Sequence, residues 1–249
     1  MAQVRVSASQ QKKPNQTVLA WLVIVVVGTL CACAYWWGGH TATAKAEVDS
    51  GQAFSRVAYL TFDDGPTHSY TAEVLNDLNA FGDHATFFQI GRNMAGNEAL
   101  MRRMLDDGNQ LGTHSWDHPL FTKLSADQVD SEVSRARDLQ VRILGGYDSR
   151  LFRYPYDRPS EAGMLYLGQQ HMFSWDAGIN VEDWNWRKVS DAQVIRGIMA
   201  QLHPGAIIQL HDGQDIIGRN HPSYLPGLLR ALHQRGYATD TLPSQGYSP

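Results

Sequence analysis

The chain has 249 residues, 43% hydrophobic and 18% charged, which is enough apolar material for one large domain and excludes disorder over most of the length. Its 21 Lys and Arg against 25 Asp and Glu give a formal charge of −4, with no basic cluster beyond the N-terminus, so binding to nucleic acid by phosphate neutralisation is not expected. The two cysteines, Cys31 and Cys33, share one apolar run, which excludes a disulfide framework or a cysteine-built zinc site in the folded part and leaves His and carboxylates as the metal-ligand types.

The first element in chain order is a charge-free apolar run at residues 18–37, about the ~20 residues that cross a bilayer as a helix. Arg5, Lys12 and Lys13 precede it without an acid, whereas Lys45, Glu47 and Asp49 follow it. This bias predicts a single-pass membrane anchor with residues 1–17 as a cytoplasmic tail, a linker at 38–50, and a domain from residue 51 to 249 on the periplasmic or extracellular side. A cleaved signal is the alternative, because Ala44-Lys45-Ala46 has the spacing of a cleavage site and Leu30-Cys31-Ala32-Cys33 loosely matches a lipoprotein box; the product would then be secreted or lipid-anchored.

Seven strands are predicted from short runs rich in β-formers: Val57–Phe62, Ala85–Ile90, Gln110–His114, Leu151–Tyr154, Phe173–Asp176, Ala206–Leu210 and Tyr237–Leu242. Segments of helical period lie between them. Ser125 with Gln128 forms a capping-box pattern, Ser160, Ser190 and Ser223 stand as N-cap candidates, and Gly82, Gly108 and Gly236 stand as helix stops. Strand and helix in repeated alternation predict an α/β fold with a parallel sheet or barrel, whose chemistry collects at the carboxyl ends of the strands.

Those ends are polar. The first strand finishes in Asp63-Asp64-Gly65-Pro66, and alternation along a strand lets adjacent carboxylates face different tasks. The third finishes in His114-Ser115-Trp116-Asp117-His118-Pro119, where two His four apart would share one face of a helical turn. Asp64, His114 and His118 together make a three-ligand set that leaves positions open for water and substrate, the arrangement of a catalytic rather than a closed structural zinc. Zinc is the first expectation, and cobalt, nickel or manganese suit the same donors. Arg153, Asp183 and His211 stand at later strand ends, completing the inventory that a metal-assisted amide hydrolase needs. Trp116, Trp175, Trp184 and Trp186 lie nearby without an assigned role, and His68 is the one remaining histidine close to the acid pair.

Five ordered segments, Thr61-Phe62-Asp63-Asp64-Gly65-Pro66, His114-Ser115-Trp116-Asp117-His118-Pro119, Arg153-Tyr154-Pro155-Tyr156, Asp183-Trp184 and Leu210-His211-Asp212, resemble the motifs of the polysaccharide deacetylases, the NodB-homology domain of carbohydrate esterase family four. The resemblance runs from about Arg56 to Leu242. It implies a distorted (β/α)7 barrel that removes N-acetyl groups from a cell-wall or extracellular polysaccharide such as peptidoglycan, a chitin-like oligomer or exopolysaccharide. It also implies Asp64, His114 and His118 as ligands of a divalent metal, Asp63 as general base, Arg153 as its orienting partner, and His211 as general acid held charged by Asp183. The backbone N–H of Tyr156 would help bind the oxyanion and Leu210 would line the acetyl pocket. Two positions depart from the family pattern: Asp157 replaces a usual glycine, and Asn180 replaces an earlier Asp of the fourth motif. Two other readings remain at this stage, a hydrolase of small amides or imides on the same fold and a catalytically silent carbohydrate-binding protein. No protein partner is implied.

Overall fold

A computed structural model describes residues 56–213 and 222–243. The predicted tail, anchor and linker at 1–17, 18–37 and 38–50 lie outside the described residues, as do residues 51–55. Among the described residues no helix is long and apolar enough to cross a membrane.

Strand β1 (Arg56–Asp63) is followed by helix α1 (Tyr70–Phe81), β2 (Ala85–Gln89), the single turn α2 (Gly91–Met94), α3 (Glu98–Asp106) and β3 (Gln110–Thr113). Then come α4 (Ala126–Ile143), β4 (Leu151–Phe152), α5 (Glu161–Gln169), β5 (Phe173–Ser174), β6 (Ile179–Asn180), α6 (Asp191–Gln201), β7 (Ile207–His211), α7 (Leu225–Gln234) and β8 (Tyr237–Thr239). The helix boundaries follow local chemistry. Ser125 and Gln128 cap α4 reciprocally, Ser190 and Gln193 do the same for α6, and the Ser160 side chain accepts from the Gly163 N–H at the start of α5. Gly82 ends α1 at φ 70, a left-handed conformation that a residue with Cβ adopts at a cost. Ser223 does not cap α7; Tyr224 holds that place.

All pairings are parallel, in the order β5-β4-β3-β2-β1-β7-β6, with β8 pairing the first residues of β1. The result is a curled half-barrel with helices, the architecture expected from the resemblance but with an eighth strand, β6, between the fifth and seventh. No pairing joins β5 to β6 among the described residues, so the sheet stays open there.

Alternation divides each strand between two environments. Ala58, Leu60 and Phe62 of β1, Phe87 of β2 and Ile208 and Leu210 of β7 face the helices and pack with Leu75 and Leu78 of α1 and Leu228, Leu229 and Leu232 of α7. On the other face Tyr59, Phe88, Leu151, Ile207, Trp175 and Leu242 form a smaller apolar cluster inside the curl. Thr61, Asp63, Gln209 and His211 continue that inner face toward the carboxyl ends of β1 and β7, whose register pairs Thr61 with Gln209 and Asp63 with His211. The fold thus delivers an acid, an amide and an imidazole to one place.

Candidate active site

Asp63 and Arg153 are both fully buried, and their contact carries the base of the site. Arg153 Nη1 donates to Asp63 Oδ1 at 2.9 Å and to Thr61 Oγ1 at 2.7 Å, its Nε donates to the Trp175 carbonyl at 2.9 Å, and its guanidinium lies over the Phe88 ring at 4.3 Å. Gln209 Nε2 donates to the other carboxylate oxygen at 2.8 Å. Burial by itself would push the Asp63 carboxyl up, but the Arg153 charge, His114, His211 and the Gln209 amide together hold it below its ordinary 3.8. Asp63 is therefore an ionised, doubly anchored acceptor.

The next residue breaks the strand. Asp64 has φ 75, a left-handed conformation that Asp tolerates better than most residues, and its carbonyl accepts from Asn93 Nδ2 at 2.8 Å. Its Oδ1 lies 3.7 Å from His114 Nε2 and 3.5 Å from His118 Nε2. Donors at ~2.0–2.1 Å from one tetrahedral ion stand about 3.3–3.4 Å apart, close to both of these distances, and one ligand atom from each of the three residues lies within 4.8 Å of the others. His114 Nδ1 lies 2.8 Å from the Arg153 carbonyl, a contact that anchors the ring with Nε2 aimed at the site. His118 is lowered to about 4, chiefly by burial and then by His114, and is neutral above that pH. This donor set fits a divalent metal.

The histidine pair does not sit on a helical turn, contrary to the expectation from its spacing. His114 follows β3 directly, its N–H bonded to the Gln89 carbonyl at 2.8 Å, and the chain then reverses through Ser115 (φ 67) and His118 (φ 61). Ser115 Oγ accepts from the His118 N–H at 3.0 Å, while Glu132 of α4 accepts from the N–H groups of Trp116 and Asp117 at 3.0 and 2.9 Å. A loop clipped at three points brings the imidazoles together, with ring centroids 4.8 Å apart.

Across the cavity, His211 Nδ1 lies 2.7 Å from Asp183 Oδ1. The wholly buried Asp183 also accepts, through Oδ2, from the His211 N–H at 3.0 Å and from the Tyr224 hydroxyl at 2.7 Å. Burial would lower His211, but Asp183, reinforced by Asp64 and Asp63, overrides it and raises the imidazole to about 9. His211 is a cation at neutral pH.

A cavity of about 560 Å3 joins these groups; Asp63, Asp64, His114, His118, Tyr156, Gln209 and His211 line it, with Ile90, Arg92, Asp157, Asn180, Trp184 and Gly213 completing the wall. The loops after β1 and β7 are tied together through Asp212. That buried carboxylate accepts from the Gly65 N–H at 3.0 Å and the Thr71 hydroxyl at 2.6 Å, and its carbonyl accepts from Thr67 Oγ1 at 2.7 Å. A Cβ on Gly65 would collide with the Asp212 carboxylate and one on Gly213 with Asp64, so close approach requires glycine at both positions.

The polysaccharide deacetylase family model matches residues 35–170. The chain belongs to that family. It is 33% identical over 196 residues to the peptidoglycan-N-acetylglucosamine deacetylase PgdA of Listeria monocytogenes, a match that covers 79% of this chain but spans only 40% of that protein's length. A chitooligosaccharide deacetylase of Azorhizobium caulinodans is 31% identical, over 74% of this chain and 92% of its own. The structure of the peptidoglycan deacetylase PdaC from Bacillus subtilis superposes with a TM-score of 0.68 at 31% identity, covering 75% of this chain and 88% of the other.

Within this member of the polysaccharide deacetylase family, the structure gathers Asp63, Asp64, His114, His118, Tyr156 and His211 on the cavity and places Arg153 and Asp183 directly behind Asp63 and His211. Leu210 is the exception. It faces the helices, is fully buried in the main core, and does not line the cavity; alternation with the inward His211 turns it away. His68 lies on a neighbouring open groove with Arg92, Asn93 and Asn97. Trp184 reaches the cavity wall, whereas Trp175 contributes its carbonyl to Arg153. Asp157 has φ 50, which explains why a glycine suits that position and an Asp is tolerated. Sequence reasoning missed Thr61, Gln209 and Tyr224; of these only Gln209 left a signal, as the single polar residue within an apolar strand.

Proposed function

We propose that this domain hydrolyses N-acetyl groups on a polysaccharide containing N-acetylglucosamine, such as peptidoglycan, a chitin-like oligomer or exopolysaccharide, with release of acetate. The observation that supports this most is the opposite charge state of the two groups facing the ligand set: Asp63 held ionised below 3.8 and His211 held cationic to about 9. A base and an acid coexist at neutral pH, as cleavage of an amide by water requires. The names of the relatives support the substrate class.

Asp64, His114 and His118 would hold a divalent metal, zinc first, with cobalt, nickel or manganese as alternatives. When bound, the ion polarises the acetyl carbonyl and lowers the pKa of water. Asp63 takes the proton from the attacking water; Arg153 keeps it ionised and aimed, which matters because a carboxylate of low pKa is a weak base that acts through placement. Tyr156, at φ 61 with its side-chain ring edge-on to the His118 ring, would donate its backbone N–H to the oxyanion. His211 passes its proton to the departing amine, and Asp183 stabilises the charged imidazole until it does. The apolar run at 18–37 supports anchoring in a cell membrane with this domain outside.

The test is acetate release by the purified full chain from N-acetylglucosamine oligomers and from peptidoglycan, as isolated, after chelation, and after zinc is returned. Release lost on chelation and regained with zinc is expected. Undiminished release by metal-free protein would overturn the reading, and so would a folded, zinc-loaded chain that releases nothing from these substrates or from exopolysaccharide.

A further inference from the structure

Gln209 occupies an unusual place for an uncharged amide. It is 5% exposed, lies on the inner face of β7, and donates through Nε2 to Asp63 Oδ2 at 2.8 Å. Its Oε1 accepts from Asn180 Nδ2 at 2.7 Å, and Asn180 Oδ1 accepts from the Glu182 N–H at 3.0 Å. Asn180 and Gln209 are direct partners in the β6–β7 register, so their side chains meet because the strands pair there.

The direction of this chain is set at both ends. A backbone N–H only donates, so Asn180 presents its carbonyl oxygen to Glu182 and its amide nitrogen to Gln209. An ionised carboxylate only accepts, so Gln209 presents its nitrogen to Asp63 and its oxygen to Asn180. Either amide, flipped, would set two acceptors or two donors against each other. We propose that Gln209, oriented by Asn180, is a positioning residue for Asp63: it fixes the second carboxylate oxygen, as Arg153 fixes the first, and so sets the direction in which the base faces the attacking water.

Asn180 is the sensitive member, although it touches neither Asp63 nor the ligand set. In N180D the acid still accepts from Glu182 but offers Gln209 no donor. Gln209 then stands between two carboxylates with a single amide nitrogen, so in either orientation its oxygen faces one of them and its hold on Asp63 is weakened. Thus N180D costs more than N180A, which leaves the Gln209 nitrogen free to remain on Asp63. A hydrogen bond to a charged group lost in this way corresponds to a fall in kcat of about 10-fold or more. KM changes little, since the perturbed contact lies on the base.

The inference rests on the deacetylase reading, and its test has an arm that does not. In the full chain, acetate release is measured for wild type, N180A, N180D, Q209M and N180D/Q209M, with zinc content checked for each. Expected are a kcat loss in Q209M and in N180D, a smaller one in N180A, and no further loss when N180D is added to Q209M, because the substitution acts only through the Gln209 amide. Losses in N180D and Q209M that multiply in the double variant would overturn the proposal, as would a loss confined to KM. Independently of turnover, the side-chain amide resonances of Gln209 are expected to shift on N180D in zinc-free protein. Unchanged resonances refute the amide chain itself, whereas shifted resonances in a wild type that releases no acetate would place the failure in the deacetylase reading.

Discussion

The buried pair of Asp63 and Arg153 makes a prediction that separates charge from shape. In R153M the side-chain volume is largely kept, but the Asp63 carboxylate loses its cation in a setting where both partners are fully buried. Removing one partner of such a pair costs about 3–5 kcal/mol, which for a domain of this size corresponds to about 6–20 °C in Tm. The sign of the pH dependence follows. In the wild type Asp63 is held below 3.8, so its contribution is present above that value and is lost as pH falls through the lowered one. In R153M burial acts without its main opponent and drives the carboxyl upward, so the variant loses stability as pH rises. The Tm gap is therefore narrow near about pH 4.5 and wide near about pH 7.5, and R153M/D63N, with no charge left to bury, recovers most of it at the higher pH. Melting curves followed by circular dichroism at both pH values read this directly, while acetate release stays at least about 100-fold down in both variants. A gap that does not vary with pH, or a double variant no more stable than R153M, would refute the reasoning.

Activity of the wild type is expected to fall as pH rises through about 9, where His211 loses its proton, and D183N, which removes the anion that opposes burial, shifts that limb to lower pH; identical kcat/KM profiles would remove His211 from the acid role. Leu210→Ala should cost about 2–5 kcal/mol of stability with KM unchanged, because the side chain packs in the core. A raised KM at unchanged Tm would instead put it against substrate. His118→Ala should weaken zinc binding, read by titration calorimetry, by more than the ~10–100-fold typical of losing a residue that merely orients a ligand. Equal zinc affinity in the variant would dismiss the three-ligand set.

The strands that were legible in the sequence lie in runs of β-formers, and these include β4 and β5, which have only two residues each. Strand β1 has eight residues and a run of β-formers, whereas β6 has two, Ile179 and Asn180, and exists because β7 pairs with it. Ile179-Asn180 stands in no such run, so no local signal marks it. The site followed the same rule. Asp63, Asp64, His114, His118 and His211 are chemically conspicuous and stand at strand ends, so they could be gathered from spacing alone. The helical turn expected between the histidines failed because spacing carries no information about φ, and Ser115 and His118 both take positive values. The resemblance places Leu210 in the pocket, but strand period sets Leu210 and His211 of β7 on opposite faces and puts Gln209 on the same face as His211. Tyr224, which reaches Asp183 from just before α7, lies 41 residues away in sequence and leaves no trace at a strand end.

The contact between the loops after β1 and β7 bears on what this architecture can vary. Gly65 meets Asp212, Gly213 meets Asp64, and Thr67 and Thr71 lock onto the same acid. The loop that carries Asp64 and the loop that follows His211 are consequently tied together, which fixes the span between those two residues. The exposed Tyr156 and Trp184, with Arg92, form the rim above it. On the proposed reading, a gauge of fixed width beneath a solvent-facing rim would let the polymer differ by surface substitution while the bond cut stays the same.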